Sequence, residues 1–410
     1  MRKKLILLVA WATVFSFLSA QGRYKAPIEM KIFEQTPLLF NPTDYPDGIV
    51  EKDGLIYLTN GRIVLKKIAV PKFKQHTEVE ISTTVVSNGD RWDKSGSAFV
   101  IHKESAINMM DIAANRASYP QQDEELYEQL KGIVAGEGYL PTVELMRFMT
   151  PFGVGYYSDN DNEVSVNRRP VYVDGWAEDV QWEQNISDLL PLLEGEVYVG
   201  AFIDTWTEEG YKIDVTLTFT ESNIKRDKKA KSKVLPLVNT IYYIGQGHPD
   251  IFSRKDLQIR FDIPRKAKNI RLKYITTGHG GHSGGDEFRP QRNTLLIDGK
   301  EVYSFVPWRT DCASFRRYNP TSGVWLRPRT VAYISRDGQR LEKEIEESLA
   351  SSDLSRSNWC PGSQVLPEEI HLTNLTAGQH TLTISIPDSK SIEGDKLNHW
   401  LVSAYLVWEE

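Results

Sequence analysis

Residues 278–293, GHGGHSGGDEFRPQRN, gather five glycines, two histidines and two adjacent carboxylates. Such a stretch fits a metal site, a phosphate cradle, a linker or a loop that presents a catalytic acid. His279 and His282 lie three apart and Asp286 and Glu287 follow, so the ligand types for a metal are present. A glycine run, read as flexible, does not fix them in a rigid geometry as a helix or strand would, and no metal is expected. A phosphate cradle leads from a strand into a helix, whereas strand-like NTLLID follows here. As an acid-presenting loop, the stretch offers Glu287 at a rim where glycines let backbone and substrate approach closely. An Asp-Glu pair in a loop is equally compatible with plain solvation. Carboxylates stand beside tryptophan twice more, in Arg91-Trp92-Asp93-Lys94 and in Asp204-Thr205-Trp206. A third tryptophan, Trp359, lies three positions after Arg356 and just before Cys360. Tryptophan faces suit the apolar side of a sugar ring, and carboxylates bind hydroxyls or move protons. The same residues also suit a reading in which the tryptophans fill cores and the acids cap strand ends.

The elements that must position these residues read as strands. GLIYLTNGRIVL (54–65) places Asn60-Gly61 between two alternating runs, and NTLLIDGKEVYSF (293–305) places Asp298-Gly299 likewise. Both are hairpin signatures. VTLTFT (215–220), LQIRFDIP (257–264), TAGQHTLTISIP (376–387) and WLVSAYLVW (400–408) are further strand candidates, with Leu382, Ile384 and Ile386 on one face. Many short strands with few helices define an all-β class, a sandwich or jelly roll. Two segments rich in helix formers, 121–135 and 337–352, are expected to be helical insertions over the sandwiches. Between candidate strands, Lys225 to Lys233 contains six basic residues opposed by Asp227 alone, and is read as a solvated linker. The expected organisation is a leader at 1–20, one domain at 21–222 with a helical insertion near 105–140, a basic linker at 223–234, and a second domain at 235–410.

The first residues, MRKKLILLVAWATVFSFLSAQG, combine a basic start, a short apolar run and small residues, the pattern of a secretory signal peptide. A secreted or periplasmic protein follows, with no membrane span. The formal charge of −6 becomes about −9 after cleavage, which argues against a nucleic-acid partner. Cys312 and Cys360 are the two cysteines, and in an oxidising compartment their default is one disulfide, which removes them as nucleophiles.

The segments RWDKSGSAFVI (91–101), MRFMTPFGVG (146–155), AFIDTWTEEG (201–210), TTGHGGHSGGDEF (276–288), WRTDCASFRR (308–317) and DLSRSNWCPGS (353–363) resemble, in that order, the bacterial peptide:N-glycosidase F family. The resemblance spans most of residues 75–410. It implies two consecutive antiparallel jelly-roll domains with the active site at their interface. It further implies an amidase that removes asparagine-linked glycans, with no cofactor. By the same resemblance Asp93 is the principal catalytic aspartate and Glu287 the catalytic glutamate of the second domain. Asp204 falls on a third family acid, Arg356 on an arginine preceding Trp-Cys-Pro-Gly, and Cys312 with Cys360 on a family disulfide. Trp92, Trp206 and Trp359 would wall in the first sugars. Three departures stand out. Asp204 is one methylene shorter than the family glutamate. Gly285 and Arg289 occupy positions where the family's type member has cysteines. Residues 21 to about 50 have no match, leaving open whether they begin the first jelly roll or form an extra piece.

Hydrolysing the amide between an asparagine side chain and N-acetylglucosamine requires activating water, stabilising an oxyanion and protonating the leaving nitrogen. The expected partners are N-glycosylated peptides and glycoproteins, met by a monomer. Two rival readings stand beside this one: a non-catalytic glycan-binding jelly roll, and an endo-glycosidase using the same carboxylates.

Overall fold

The computed structural model describes residues 26–122, 125, 127–159, 173–225, 232–246, 250–322 and 324–410. The expected signal peptide and residues 226–231, half of the expected basic linker, lie outside them, while 223–225 and 232–234 are strand residues. The first half contributes β1 (Ile28–Leu38), β2 (Val50–Lys52), β3 (Leu55–Leu58), β4 (Ile63–Val70), β5 (Gln75–Ser87), β6 (Ser95–Val100), β7 (Val143–Met149), β8 (Val180–Asn185), β9 (Gly195–Ile203) and β10 (Tyr211–Lys225). The second contributes β11 (Ser232–Asn239), β12 (Leu257–Ile263), β13 (Lys268–His279), β14 (Asn293–Ile297), β15 (Lys300–Phe305), β16 (Val324–Ile334), β17 (Arg340–Ala350), β18 (Gln364–Val365), β19 (Glu368–His371), β20 (Gly378–Ser385) and β21 (His399–Glu409).

Each domain is a pair of antiparallel sheets, the two-jelly-roll arrangement expected. In the first, the sheet β1-β10-β5-β8 faces β18-β7-β6-β9-β4-β3-β2. The alternation along β10 explains why: Tyr211, Ile213, Val215, Leu217 and Phe219 are buried on one face, while the residues between them look outward. Each such side chain contributes ~1.5–3 kcal/mol by burial. Residues 28–38 begin this domain, since β1 pairs with β10 from Ile28↔Phe219 to Leu38↔Tyr211. The second domain stacks β11-β21-β13-β19 on β12-β20-β14-β15, with Leu382, Ile384 and Ile386 in its core.

The hairpins form where the turn signals lie. Asp298 and Gly299 take φ of 51° and 76° between Ile297 and Lys300, the left-handed pair that a two-residue hairpin needs. One expectation is overturned: 337–352 is not a helix but contains β17, paired residue for residue with β16. The helical expectation at 121–135 shrinks to one turn, Tyr127–Leu130, among the described residues. Gly132, whose φ of 71° is left-handed, lies two residues beyond that turn.

The domains are joined by shared structure. β18, from the second half of the chain, pairs with β7 of the first sheet. Ile241, Tyr243 and Leu401 pack with Leu58, Leu65, Phe99 and Phe202 in one hydrophobic cluster.

Candidate active site

Asp93 lies in the turn from β5 to β6. Asp90, buried two residues before Trp92, accepts the Trp92 amide at 3.0 Å and the Thr205 hydroxyl at 2.7 Å. The Lys94 amide donates to Thr150 Oγ1 at 2.8 Å, Thr321 donates to the Arg91 carbonyl at 2.5 Å, and the Tyr211 hydroxyl donates to the Trp92 carbonyl. The backbone on either side of Asp93 is thus pinned by four separate segments, while its carboxylate points towards Arg356.

Glu287 comes from the glycine stretch, which is less loose than its composition implies. Gly278 and His279 finish β13, and Asp286–Phe288 form a turn of 3₁₀ helix. A Cβ at Gly280 would meet Asn398 Oδ1 at 2.5 Å, and one at Gly285 would meet the Gly280 carbonyl oxygen at 2.1 Å. These glycines therefore serve tight packing. The Asp286 side chain is taken up by Gln291 at 2.7 Å and by the Lys390 amide at 3.1 Å, and so supports the turn. The Glu287 carbonyl accepts the Ser357 amide at 2.9 Å, tying this turn to the segment that carries Arg356.

The Arg356 guanidinium joins the two acids. Its Nε donates to Glu287 Oε1 at 2.9 Å, and an Nη stands 3.8 Å from Asp93 Oδ2. Remaining protons go to the Leu354 carbonyl at 2.9 Å and the Ser351 carbonyl at 3.1 Å. The Cys312–Cys360 disulfide closes the segment that holds it. Burial raises the pKa of Asp93 against the opposing charges of Arg356 and Lys94. Burial likewise pushes Glu287 up to about 7, with the charge of Asp93 adding to the shift and Arg356 opposing it. One cation shared by two desolvated carboxylates leaves both less acidic than usual.

Asp204 follows β9 and is linked to the start of β6, two residues after Asp93, by its own amide, which donates to the Ser95 carbonyl at 3.0 Å. Its oxygens are occupied: Oδ1 accepts from Arg62 at 3.2 Å and from the Trp206 indole at 3.1 Å, and Oδ2 accepts from the Tyr242 hydroxyl at 2.5 Å. Arg62 lies 4.0 Å from the centre of the Trp206 ring. Asp204 thus fixes a tryptophan and bridges to the second domain, and burial raises its pKa against those partners.

The tryptophans divide. Trp92 and Trp206 are 48% and 55% exposed and present ring surface. Trp359 departs from the expectation that it contacts substrate: it is 2% exposed. Its indole donates to the Gly278 carbonyl at 2.9 Å, with Arg356 at 4.9 Å and His279 at 5.5 Å from its ring. It packs against Arg356. His279 is buried between Trp359 and His399, and burial lowers its pKa far below the usual range. His282 pairs instead with Asn398 Oδ1 at 3.0 Å. Among the described residues no group of three His, Cys, Asp or Glu is arranged to hold a metal ion.

Sequence reasoning missed Asp90, Arg62 and Tyr242. Asp90 carried a local signal, the Asx turn formed with the amide two residues on. Arg62 and Tyr242 carried none, because the partner of each is far away in the chain.

These features define a class: a two-domain β-sandwich protein whose domain interface holds two raised carboxylates around one buried arginine. Family models described as peptide-N-glycosidase F, N terminal and C terminal, match residues 29–219 and 247–407. The chain belongs to the peptide-N-glycosidase F family. Among solved structures it is similar to PNGF-II, at 34% identity and a TM-score of 0.77 over 93% of this chain. It spans 65% of the length of PNGF-II. Recombinant peptide:N-glycanase F shares the fold, at 15% identity and a TM-score of 0.59 over 94% of this chain and 96% of that one. Sequence comparison with curated proteins finds no match.

Proposed function

We propose that this chain hydrolyses the amide between an asparagine side chain and the first N-acetylglucosamine of an N-linked glycan, leaving aspartate in the peptide and releasing a glycosylamine. The observation that carries the reading is the convergence of Asp93 and Glu287, from different domains, on the single guanidinium of Arg356. In its carboxylate form Asp93 takes a proton from water as the oxygen attacks the side-chain carbonyl. Arg356 steadies the oxyanion that results, and the proton held by Asp93 passes to the departing nitrogen. Glu287, ionised above about 7, binds a hydroxyl of the first sugar and keeps Arg356 in place. Trp92 and Trp206 offer exposed faces to the sugar rings. Asp204 acts as a positioning residue through Trp206 and Arg62. Residues 1–20 are read as a secretory leader, and the disulfide suits an oxidising compartment.

The decisive experiment digests a defined glycopeptide in oxygen-18 water. Label in a newly formed aspartate is the expected result. A sugar stub left on the peptide would assign an endo-glycosidase, and unchanged peptide with measurable binding would assign a lectin.

A further inference from the structure

The guanidinium shared by Asp93 and Glu287 stands at one end of a row of rings along the domain interface. Arg356 lies 4.9 Å from the centre of the Trp359 ring. Trp359 is near-parallel to His279, with centroids 5.5 Å apart and planes at 22°, and His279 is near-parallel to His399 at 5.1 Å and 15°. Tyr242 meets His399 edge-on at 6.0 Å, and its hydroxyl donates to Asp204. These separations are those of direct aromatic contact. Both ends of the row thus meet acids of the first domain, Asp93 and Asp204.

The end of β13 holds the row in register. His279 and His399 are direct partners across β13 and β21, which brings their rings together. The same stretch of β13 takes up the segment that follows Arg356. The Asn358 side chain donates to the Thr276 carbonyl at 2.8 Å, the Gly278 amide to the Ser357 carbonyl at 3.2 Å, and the Trp359 indole to the Gly278 carbonyl at 2.9 Å. A Cβ at Gly278 would meet the Ser357 Cβ at 2.8 Å, so this approach requires glycine. His279 is also fixed at its edge: Nε2 lies 2.8 Å from Thr277 Oγ1, which accepts from Arg147 at 3.4 Å. The ring is 9% exposed, and burial, reinforced by His399 and Arg147, disfavours its charged form. Among the described residues no hydrogen bond joins it to Asp93, Glu287 or Arg356.

We propose that His279 is a positioning residue for the amidase reaction: its flat ring sets the plane of Trp359, and Trp359 in turn sets the Arg356 guanidinium between Asp93 and Glu287. The inference rests on the amidase reading. Hydrogen bonds to Glu287, Leu354 and Ser351 hold the edges of the guanidinium. The Trp359 ring limits its movement out of plane. A tilt acts most on the Asp93 contact, which already spans 3.8 Å.

The test uses the full chain with two substitutions. His279→Asn keeps a polar partner for Thr277 and removes the ring, whereas His279→Phe keeps a ring and removes the polar partner. Rates on a glycopeptide are taken per folded molecule, and the Glu287 carboxyl is titrated by 13C NMR, its signal assigned by loss in Glu287→Gln. In His279→Asn, kcat should fall about 10–10²-fold with KM within about twofold. Glu287 should then titrate at higher pH, because Arg356, the charge opposing burial and Asp93 there, is held less firmly. His279→Phe should return kcat to within about threefold of wild type and restore the titration. Wild-type kcat and titration in His279→Asn overturn the assignment. A phenylalanine variant as impaired as the asparagine one also overturns it, since the polar edge rather than the ring face would matter, and so does a rise in KM alone. A wild type that leaves the glycopeptide intact sinks the amidase reading instead. The titration then decides the contact by itself: a shift in His279→Asn that His279→Phe reverses upholds it, and no shift overturns it.

Discussion

Two buried carboxylate–arginine groups lie at the domain interface, and they differ in how completely they are satisfied. Glu144 and Arg147 sit on β7 with almost no exposed surface. Arg147 makes a two-point contact with Glu144, Ser97 adds a bond to the same carboxylate at 3.0 Å, and the guanidinium continues to the Leu401 carbonyl at 2.5 Å in the other domain. Every oxygen of Glu144 has a donor. Asp93, Glu287 and Arg356 are built from the same residue types, yet one cation serves two acids and Asp93 is left at 3.8 Å. The difference teaches how one kind of interaction yields either a rivet or a reagent. A saturated pair fixes geometry; an under-supplied one leaves desolvated carboxylates harder to ionise than usual.

The comparison can be broken from either side. Arg147→Leu leaves Glu144 charged, buried and unpaired, and should lower unfolding free energy by ~3–5 kcal/mol in urea titration. A small loss there would mean that the rivet is dispensable. Asp93→Asn should instead keep stability near wild type while kcat on a glycopeptide drops about 10²–10⁴-fold. If both variants lost stability and retained activity per folded molecule, the two groups would not differ in kind.

The pH dependence sharpens the contrast. Because the Glu287 pKa is raised to about 7, its carboxylate accumulates as pH climbs through that value, and kcat/KM should climb with it. Glu287→Gln should flatten this limb. The same shift works against the fold: an unfolded chain releases this proton near 4.5 and the folded one only near 7, so stability should decline between those values and then level off. Denaturant midpoints across this range check the sign, and Arg147→Leu should leave the limb in the rate profile unmoved. The smallest effect expected is that of Trp206→Ala, a several-fold rise in KM for glycopeptide with kcat nearly preserved, as suits a stacking face. A collapse of kcat would place Trp206 in the chemistry itself.

Much of the fold was legible because strand alternation and turn chemistry are local. Asp298-Gly299 dictates its turn by backbone sterics, and the alternation of β10 and β20 dictates which face is buried. The failure at 337–352 has an equally physical cause. Leu341, Ile345 and Leu349 recur every four residues, a spacing that puts them on one face of a helix and on one face of a strand alike. Glutamate and lysine between them favour the helix in isolation, and only pairing with β16 decides otherwise.

For the site, the sequence by itself determined the chemical inventory. Its acids, its arginine and its tryptophans stand in segments whose order resembles one family, and its cysteines join in one disulfide. Tertiary structure decided what each group does. It placed Asp93 and Glu287 around Arg356, filled the oxygens of Asp204 from Arg62 and Tyr242, and turned Trp359 inward while leaving Trp92 and Trp206 in contact with water. Residue type and local pattern are properties of neighbours along the chain. Desolvation, shared charge and the exposure of a ring depend on neighbours in space, and those come from segments of the chain brought together only by folding.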